Sequence, residues 1–122
     1  MPTARFIHDG HSIDYTPSAD VAAGDVVVQG DLVGIAKLDI AADTLGALAV
    51  TGVFDLPKAT GAGTGITAGA KVYWRPAADP DPAVATTASS DGGDPPAPFP
   101  YVGKAVRTAA DGDATVRVRL EQ

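Results

Sequence analysis

The pattern that most constrains this chain is an alternation, strongest between Gly46 and Trp74. Leu48, Val50 and Phe54 fall on one parity, and Ala47, Ala49, Thr51 and Val53 on the other. A sustained period of two marks a β-strand, because successive side chains leave opposite faces of a sheet. The spacing predicts one strand over 46–54, stopped by Pro57, which cannot donate to a ladder. A glycine-rich bend follows at Gly61, Gly63 and Gly65, and Lys71-Val72-Tyr73-Trp74 resumes as a second strand. Nothing in this segment has the makings of a reaction centre. It reads as scaffold, which puts function on the outer surface.

The rest of the chain repeats the same grammar. Residues 4–8, the turn dipeptide Asp9-Gly10 and residues 11–16 predict an N-terminal hairpin, with Ile13 and Tyr15 on one face. Val26-Val27-Val28 is apolar on both faces, and Gly30-Asp31 breaks it before a strand over 32–40. Strands return at 101–107 and 115–121. In the last, Val116, Val118 and Leu120 face in, while Arg117, Arg119 and Glu121 face out. Phe54, Val72 and Trp74 are expected in the same interior. Residues 76–100 hold seven prolines and little apolar content. They read as a long irregular excursion, at most with a short strand near Val84–Thr87, and 76–99 should tolerate shortening with little loss of thermal stability. Glycine and proline density disfavours helices throughout, beyond single turns at 19–23 and 64–69.

An internal repeat runs through this pattern. Val21-Ala-Ala-Gly-Asp-Val-Val is echoed by Ile66-Thr-Ala-Gly-Ala-Lys-Val, and Leu32-Val-Gly-Ile-Ala by Tyr101-Val-Gly-Lys-Ala. Ala41-Ala-Asp is echoed by Ala109-Ala-Asp. Gly24 to Gly34 spans 10 positions and Gly69 to Gly103 spans 34, so the second copy carries 24 extra residues, which is the proline-rich excursion. Two copies of a turn, strand, strand, turn, strand unit predict a pseudo-symmetric barrel or sandwich.

At 122 residues the chain suits one domain, here 1–122. With seven aromatics in all, its core must come from Val, Leu, Ile and Ala. There is no cysteine, which excludes disulfides and thiolate metal sites. The net charge of −6, without any Lys/Arg run, disfavours nucleic acid as a partner. No stretch nears the ~20 apolar residues of a membrane span, and the N-terminus lacks a signal-peptide core. The expectation is a soluble protein made in a cytoplasm.

Candidate chemistry is thin. His8, Asp9, His11 and Asp14 cluster, and across a tight turn the two histidines could approach each other for a metal. An exposed polar hairpin explains the cluster as well. Gly61-Ala-Gly63-Thr-Gly65 invites a phosphate-loop reading but lacks Gly-Lys-Ser/Thr at a helix start. The one Gly-Lys, Gly103-Lys104, lies inside a strand. The pairs Asp79/Asp81, Asp91/Asp94 and Asp111/Asp113 offer oxygen ligands but match no calcium loop, and aspartate is a turn former in its own right. Ser12, Ser18, Ser89 and Ser90 sit in no nucleophile elbow. The expectation is no enzyme, no catalytic residue, no cofactor and no metal.

Several segments together resemble a known family. They are Ile13-Asp-Tyr-Thr-Pro17, Val21-Ala-Ala-Gly-Asp-Val-Val27, Leu32-Val-Gly-Ile-Ala36, Gly46-Ala-Leu-Ala-Val-Thr-Gly-Val-Phe-Asp-Leu-Pro-Lys58 and Ala68-Gly-Ala-Lys-Val-Tyr-Trp74. Val102-Gly-Lys-Ala105 and Val116-Arg-Val-Arg-Leu120 complete the set. The chain resembles the DUF2190 family, small proteins of tailed phages and prophages similar to capsid decoration (cement) proteins. The departure is the long 76–100 stretch. The resemblance implies an all-β fold, a small β-tulip-like barrel or sandwich with a long Pro/Gly-rich loop and little helix. It also implies a protein on the exterior of the phage head, made in the bacterial cytoplasm, that reinforces the capsid lattice. Its partners would be the major capsid protein and further copies of itself, most simply as a trimer, with no nucleic acid and no membrane. Pro2, Thr3, Ala4, Arg5 and Phe6 are the candidate partner-binding residues, since an unpaired N-terminal segment can add a strand to a capsid edge. The rival from another class is a small binding module that recognises a carbohydrate or peptide through the 76–100 loop.

Overall fold

A computed structural model describes residues 3–78 and 80–122. Its described residues form nine strands and no helix. The first sheet contains β1 (Ser12–Tyr15), β2 (Val26–Gln29), β3 (Leu32–Ala36) and β4 (Gly46–Ala49), in the order β1-β4-β3-β2. The second contains β5 (Val53–Pro57), β6 (Lys71–Arg75), β7 (Val84–Thr86), β8 (Tyr101–Ala105) and β9 (Thr115–Leu120), in the order β5-β9-β8-β6-β7. All pairing within the sheets is antiparallel. The architecture is all-β and sandwich-like. Among the described residues no closed barrel forms: one parallel bridge, Lys58 to Ala85, joins the two edges of the second sheet.

The alternation over 46–54 belongs to two strands, not one. The chain turns at Gly52, whose φ of +111° lies in the region open to glycine, and passes from one sheet to the other. Pro57 ends β5 on an edge strand, where a missing donor costs no ladder bond. The expected N-terminal hairpin does not form. Residues 3–11 hold no strand, and β1 pairs with β4, Ile13 opposite Leu48. An isolated two-stranded hairpin is marginal in water, whereas the β4 edge offers a sheet to join. The strand predicted over 32–40 stops at Ala36, with Ile40 held by a bridge to Val21. Val72, Trp74, Val116, Val118 and Leu120 are buried as expected, but Phe54 is only half-buried. The excursion contributes more than expected, because β7 brings Val84 and Ala85 into the interior.

The internal repeat is a repeat of structure. Gly24 N donates to Ala36 O at 2.6 Å, and Gly69 N to Ala105 O at 2.7 Å. Val21 and Ile40 exchange two backbone bonds of 2.8 Å, while Ile66 and Ala109 exchange bonds of 2.9 and 2.8 Å. Val50 N donates to His11 O at 3.1 Å, and Leu120 N to Gly52 O at 2.9 Å. Even a side-chain staple recurs: Ala23 N donates to Asp39 Oδ1 at 2.8 Å and Ala68 N to Thr108 Oγ1 at 3.1 Å. By these bonds β1, β2, β3 and β4 correspond to β5, β6, β8 and β9. β7 lies within the added 24 residues.

The two units stack back to front. The front of the first gathers Ala36, Ile40 and Leu48 with the half-buried Ile13, Tyr15, Val21 and Val27. The corresponding residues of the second unit, Ala105, Ala109, Val118, Phe54, Leu56, Ile66 and Val72, belong to the main core. Val33, Ile35 and Val26, on the back of the first unit, pack into that same core. The front of the second unit is therefore covered by the back of the first.

Candidate functional site

Thr3, Ala4, Arg5 and Phe6 are all exposed and lie outside any strand. Pro2 lies outside the described residues. Phe6 and Ile7 are 79% and 68% exposed, a large apolar display for adjacent residues. The segment joins the body at His11, whose O accepts from Val50 N and whose Nδ1 lies 3.3 Å from Thr51 Oγ1. A second apolar patch belongs to the first unit. Leu38 and Leu45, 77% and 71% exposed, line a cavity with Ile40, Gly46, Ala47 and Ala49.

The histidines are not brought to a common ligand. His8 Nδ1 sits 2.6 Å from Asp9 O, while His11 turns to Thr51. Among the described residues no three His or carboxylate groups converge on a metal position. The aspartates serve the backbone. Asp111 Oδ1 accepts from Gly65 N at 2.7 Å, Asp113 Oδ2 from Ala110 N at 2.8 Å and Asp25 Oδ2 from Ala22 N at 3.0 Å. Asp91 Oδ1 accepts from Gly93 N and Ala97 N at 2.8 and 2.9 Å, and these donors hold its carboxyl below the ordinary range. Asp79 of the pair Asp79/Asp81 lies outside the described residues.

The glycine loop 61–65 is tied down by a lysine that sequence reading did not single out. Lys58 is 5% exposed, and its Nζ donates to Ala59 O at 2.7 Å, Thr64 Oγ1 at 3.3 Å and Asp111 O at 3.4 Å. A buried ammonium needs its donors satisfied, and three oxygens do so here. Only its position directly after the strand-ending Pro57 hinted at this role.

The outward face of the second sheet is polar. Arg117 Nε and a terminal guanidinium nitrogen donate to the two Asp55 oxygens at 2.9 and 3.2 Å, a bidentate fork. The fork holds the Asp55 carboxyl below its ordinary value and raises Arg117. Lys104 Nζ lies 3.8 Å from Glu121 Oε1, and Glu121 also accepts from the Tyr101 hydroxyl at 3.2 Å. Burial first, and the Glu121 charge second, push the Tyr101 phenol up. These surfaces can bind a partner by charge and apolar contact. None of them assembles a nucleophile with a base.

Comparison with known proteins gives one match. The family model described as phage cement protein matches residues 7–120. No curated protein and no solved structure matches.

Proposed function

The chain belongs to the phage cement protein family, and from that premise we propose that it binds the outside of an assembled head and stabilises the capsid lattice. The observation that carries this reading is the family match, which spans nearly the whole chain. The partner is the major capsid protein. The protein acts as a homo-oligomer, a trimer in the simplest case, and is made in the host cytoplasm before joining the virion exterior. It is not an enzyme. The physical logic is avidity: one small contact is weak, but linked copies make the later contacts effectively intramolecular.

Two features support the reading. The first is the segment carrying Thr3, Ala4, Arg5 and Phe6, with Pro2 before it. It projects apolar groups and unpaired backbone, which suits pairing with a capsid edge. The second is the Leu38–Leu45 patch on the first unit, which offers a second copy an apolar contact.

The test is co-sedimentation of purified protein with cognate heads lacking it, scored with rupture temperature. Binding together with a higher rupture temperature is the expected outcome, since a ligand of the assembled state stabilises that state. Heads that neither bind folded protein at micromolar concentration nor gain stability would refute the reading and leave the binding-module alternative.

A further inference from the structure

We propose that the outward face of β6, β8 and β9 is a docking surface for a carboxylate-rich patch of the capsid. The proposal rests on the capsid reading above and adds which face meets the head, and by what chemistry.

The argument starts from register. Lys71 stands opposite Lys104, and Lys104 opposite Arg119. Residues directly opposite share a sheet face, so three cations form one line across three neighbouring strands. All three are exposed. Like charges directly opposite one another destabilise a sheet. Glu121 reaches Lys104 at 3.8 Å, but among the described residues neither Lys71 nor Arg119 is in an ion pair.

The line stands out against the rest of the chain. β6, β8 and β9 carry Lys71, Lys104, Arg117 and Arg119 on this face, and the acids beside them are Asp55 on β5 and Glu121 just after β9, within a chain of 9 cations and 15 acids. The face is thus positive on a molecule that is otherwise strongly acidic. A surface kept charged only for solubility needs no single sign, and in an acidic chain it would favour acids. A partner attracted here must be anionic at the contact, because complementary charge steers docking and fixes orientation. The chain's overall acidity counts against a phosphate backbone, which would be repelled elsewhere, and favours a local acidic patch on a protein.

The duplication supplies a second argument. The positions of Lys71, Lys104 and Arg119 correspond to Val26, Ile35 and Ala49 in the first unit. There the same back face is apolar, and Val26 and Ile35 are covered by the second unit. The back of a unit is thus a contact face once already in this fold. Val53, opposite Arg119 and 53% exposed, ends the line. Two residues before Val53, Thr51 receives His11, where the N-terminal segment leaves the body. Val53 and the cations therefore share one face, and Thr51 nearby marks where the N-terminal segment joins the body.

The experiment compares three proteins on cognate heads that lack the decoration protein. They are wild type, the pair Lys71→Gln/Arg119→Gln, and the charge-matched pair Ser18→Glu/Ala19→Glu on an exposed loop of the first unit. Co-sedimentation is measured at low and high salt, with light scattering for oligomer size and a duplex DNA mobility assay alongside. The expected result is a loss of about tenfold or more in head affinity for the first pair, with a weakened salt dependence and unchanged oligomer size. The second pair should stay within about twofold of wild type, since a charge far from the contact is screened. If Lys71→Gln/Arg119→Gln does not fold, Arg119→Gln alone must show the same direction. Wild-type affinity in the first pair overturns the proposal while leaving the capsid reading intact. So does a changed oligomer size, which would assign the line to contacts between copies, or DNA retardation abolished by the same substitutions. Wild-type protein that fails to bind heads overturns both.

Discussion

Val72 in the second unit is fully buried, whereas Val27, its counterpart in the first, is half-exposed. The same contrast holds for Leu56 against Tyr15 and for Ile66 against Val21. The two units share a hydrogen-bond plan and differ in what covers them. The second has the first stacked on its front and an added strand, β7, at its edge. The front cluster of the first draws only on its own residues. One backbone plan thus gives a well-packed half and an open half. The open half also carries Phe6, Ile7, Leu38 and Leu45 to the surface. The second copy supplies most of the interior, and the first the larger exposed apolar display.

The sharpest test of that division is a matched pair of glycines. A Cβ on Gly103 would lie 1.8 Å from Arg119 O, a backbone atom of the neighbouring strand. A Cβ on its counterpart Gly34 would lie 2.8 Å from Leu48 Cβ. Gly103→Ala must push β8 from β9 in the centre of the main sheet. Its cost should exceed the ~1–3 kcal/mol usual for overpacking and approach loss of the fold. Gly34→Ala should stay within that ~1–3 kcal/mol range, because the nearest atoms are Leu48 side-chain carbons at 2.8 and 3.1 Å and the nearest backbone atom is 3.4 Å away. Urea denaturation of both variants reads the difference, and equal costs would break the comparison.

A smaller contrast comes from the valines. Val72→Ala empties a site with no access to water and should cost about 2 kcal/mol, lost transfer energy plus cavity. Val27→Ala removes the same atoms from a half-exposed position and should cost about 1 kcal/mol or less. A Val27→Ala cost equal to that of Val72→Ala would mean that the front of the first unit is covered in solution, as an oligomer of this chain would cover it. Repeating the Val27→Ala measurement across protein concentrations identifies that case.

The alternation made most strands legible, because a period of two survives in strands of four to six residues. It could not show that residues 46–54 change sheets, since Gly52 preserves the parity while redirecting the chain. The repeat was legible through its glycines, Gly34 and Gly103, which are fixed by close approach of the neighbouring strand. Its third element, read from Ala41-Ala-Asp and Ala109-Ala-Asp, was one position out of step. The bond from Thr44 N to Ala41 O corresponds to the one from Asp113 N to Ala110 O. The cation line was not legible. Lys71, Lys104 and Arg119 are far apart in sequence, and only cross-strand register aligns them. Phe54 reads as core by parity, yet it lies on edge strand β5 and is only half-covered. Nothing local marked Lys58, whose burial depends on Asp111, 53 residues on, returning over the glycine loop.

The smallest contrast is electrostatic. Asp55 faces Arg117 across β5 and β9, and the corresponding pair in the first unit is Asp14 facing Ala47. The ion pair thus has no counterpart in the first unit, and the guanidinium fork holds the Asp55 carboxyl below its ordinary value of 3.8. A carboxyl depressed on folding adds stability above its unfolded value, and that increment is lost as pH falls through the lower folded value. The pair should therefore contribute fully near neutral pH and disappear on the acid side of 3.8. Both side chains are about half exposed, so the contribution is small and screened by salt. Arg117→Ala should return the Asp55 titration, followed by carboxyl NMR, toward 3.8 and lower stability slightly at neutral pH but not at pH below the folded value. High salt should shrink the difference between variant and wild type. An Asp55 titration that stays depressed in Arg117→Ala would assign the shift to Arg107, the other cation that acts on this carboxylate.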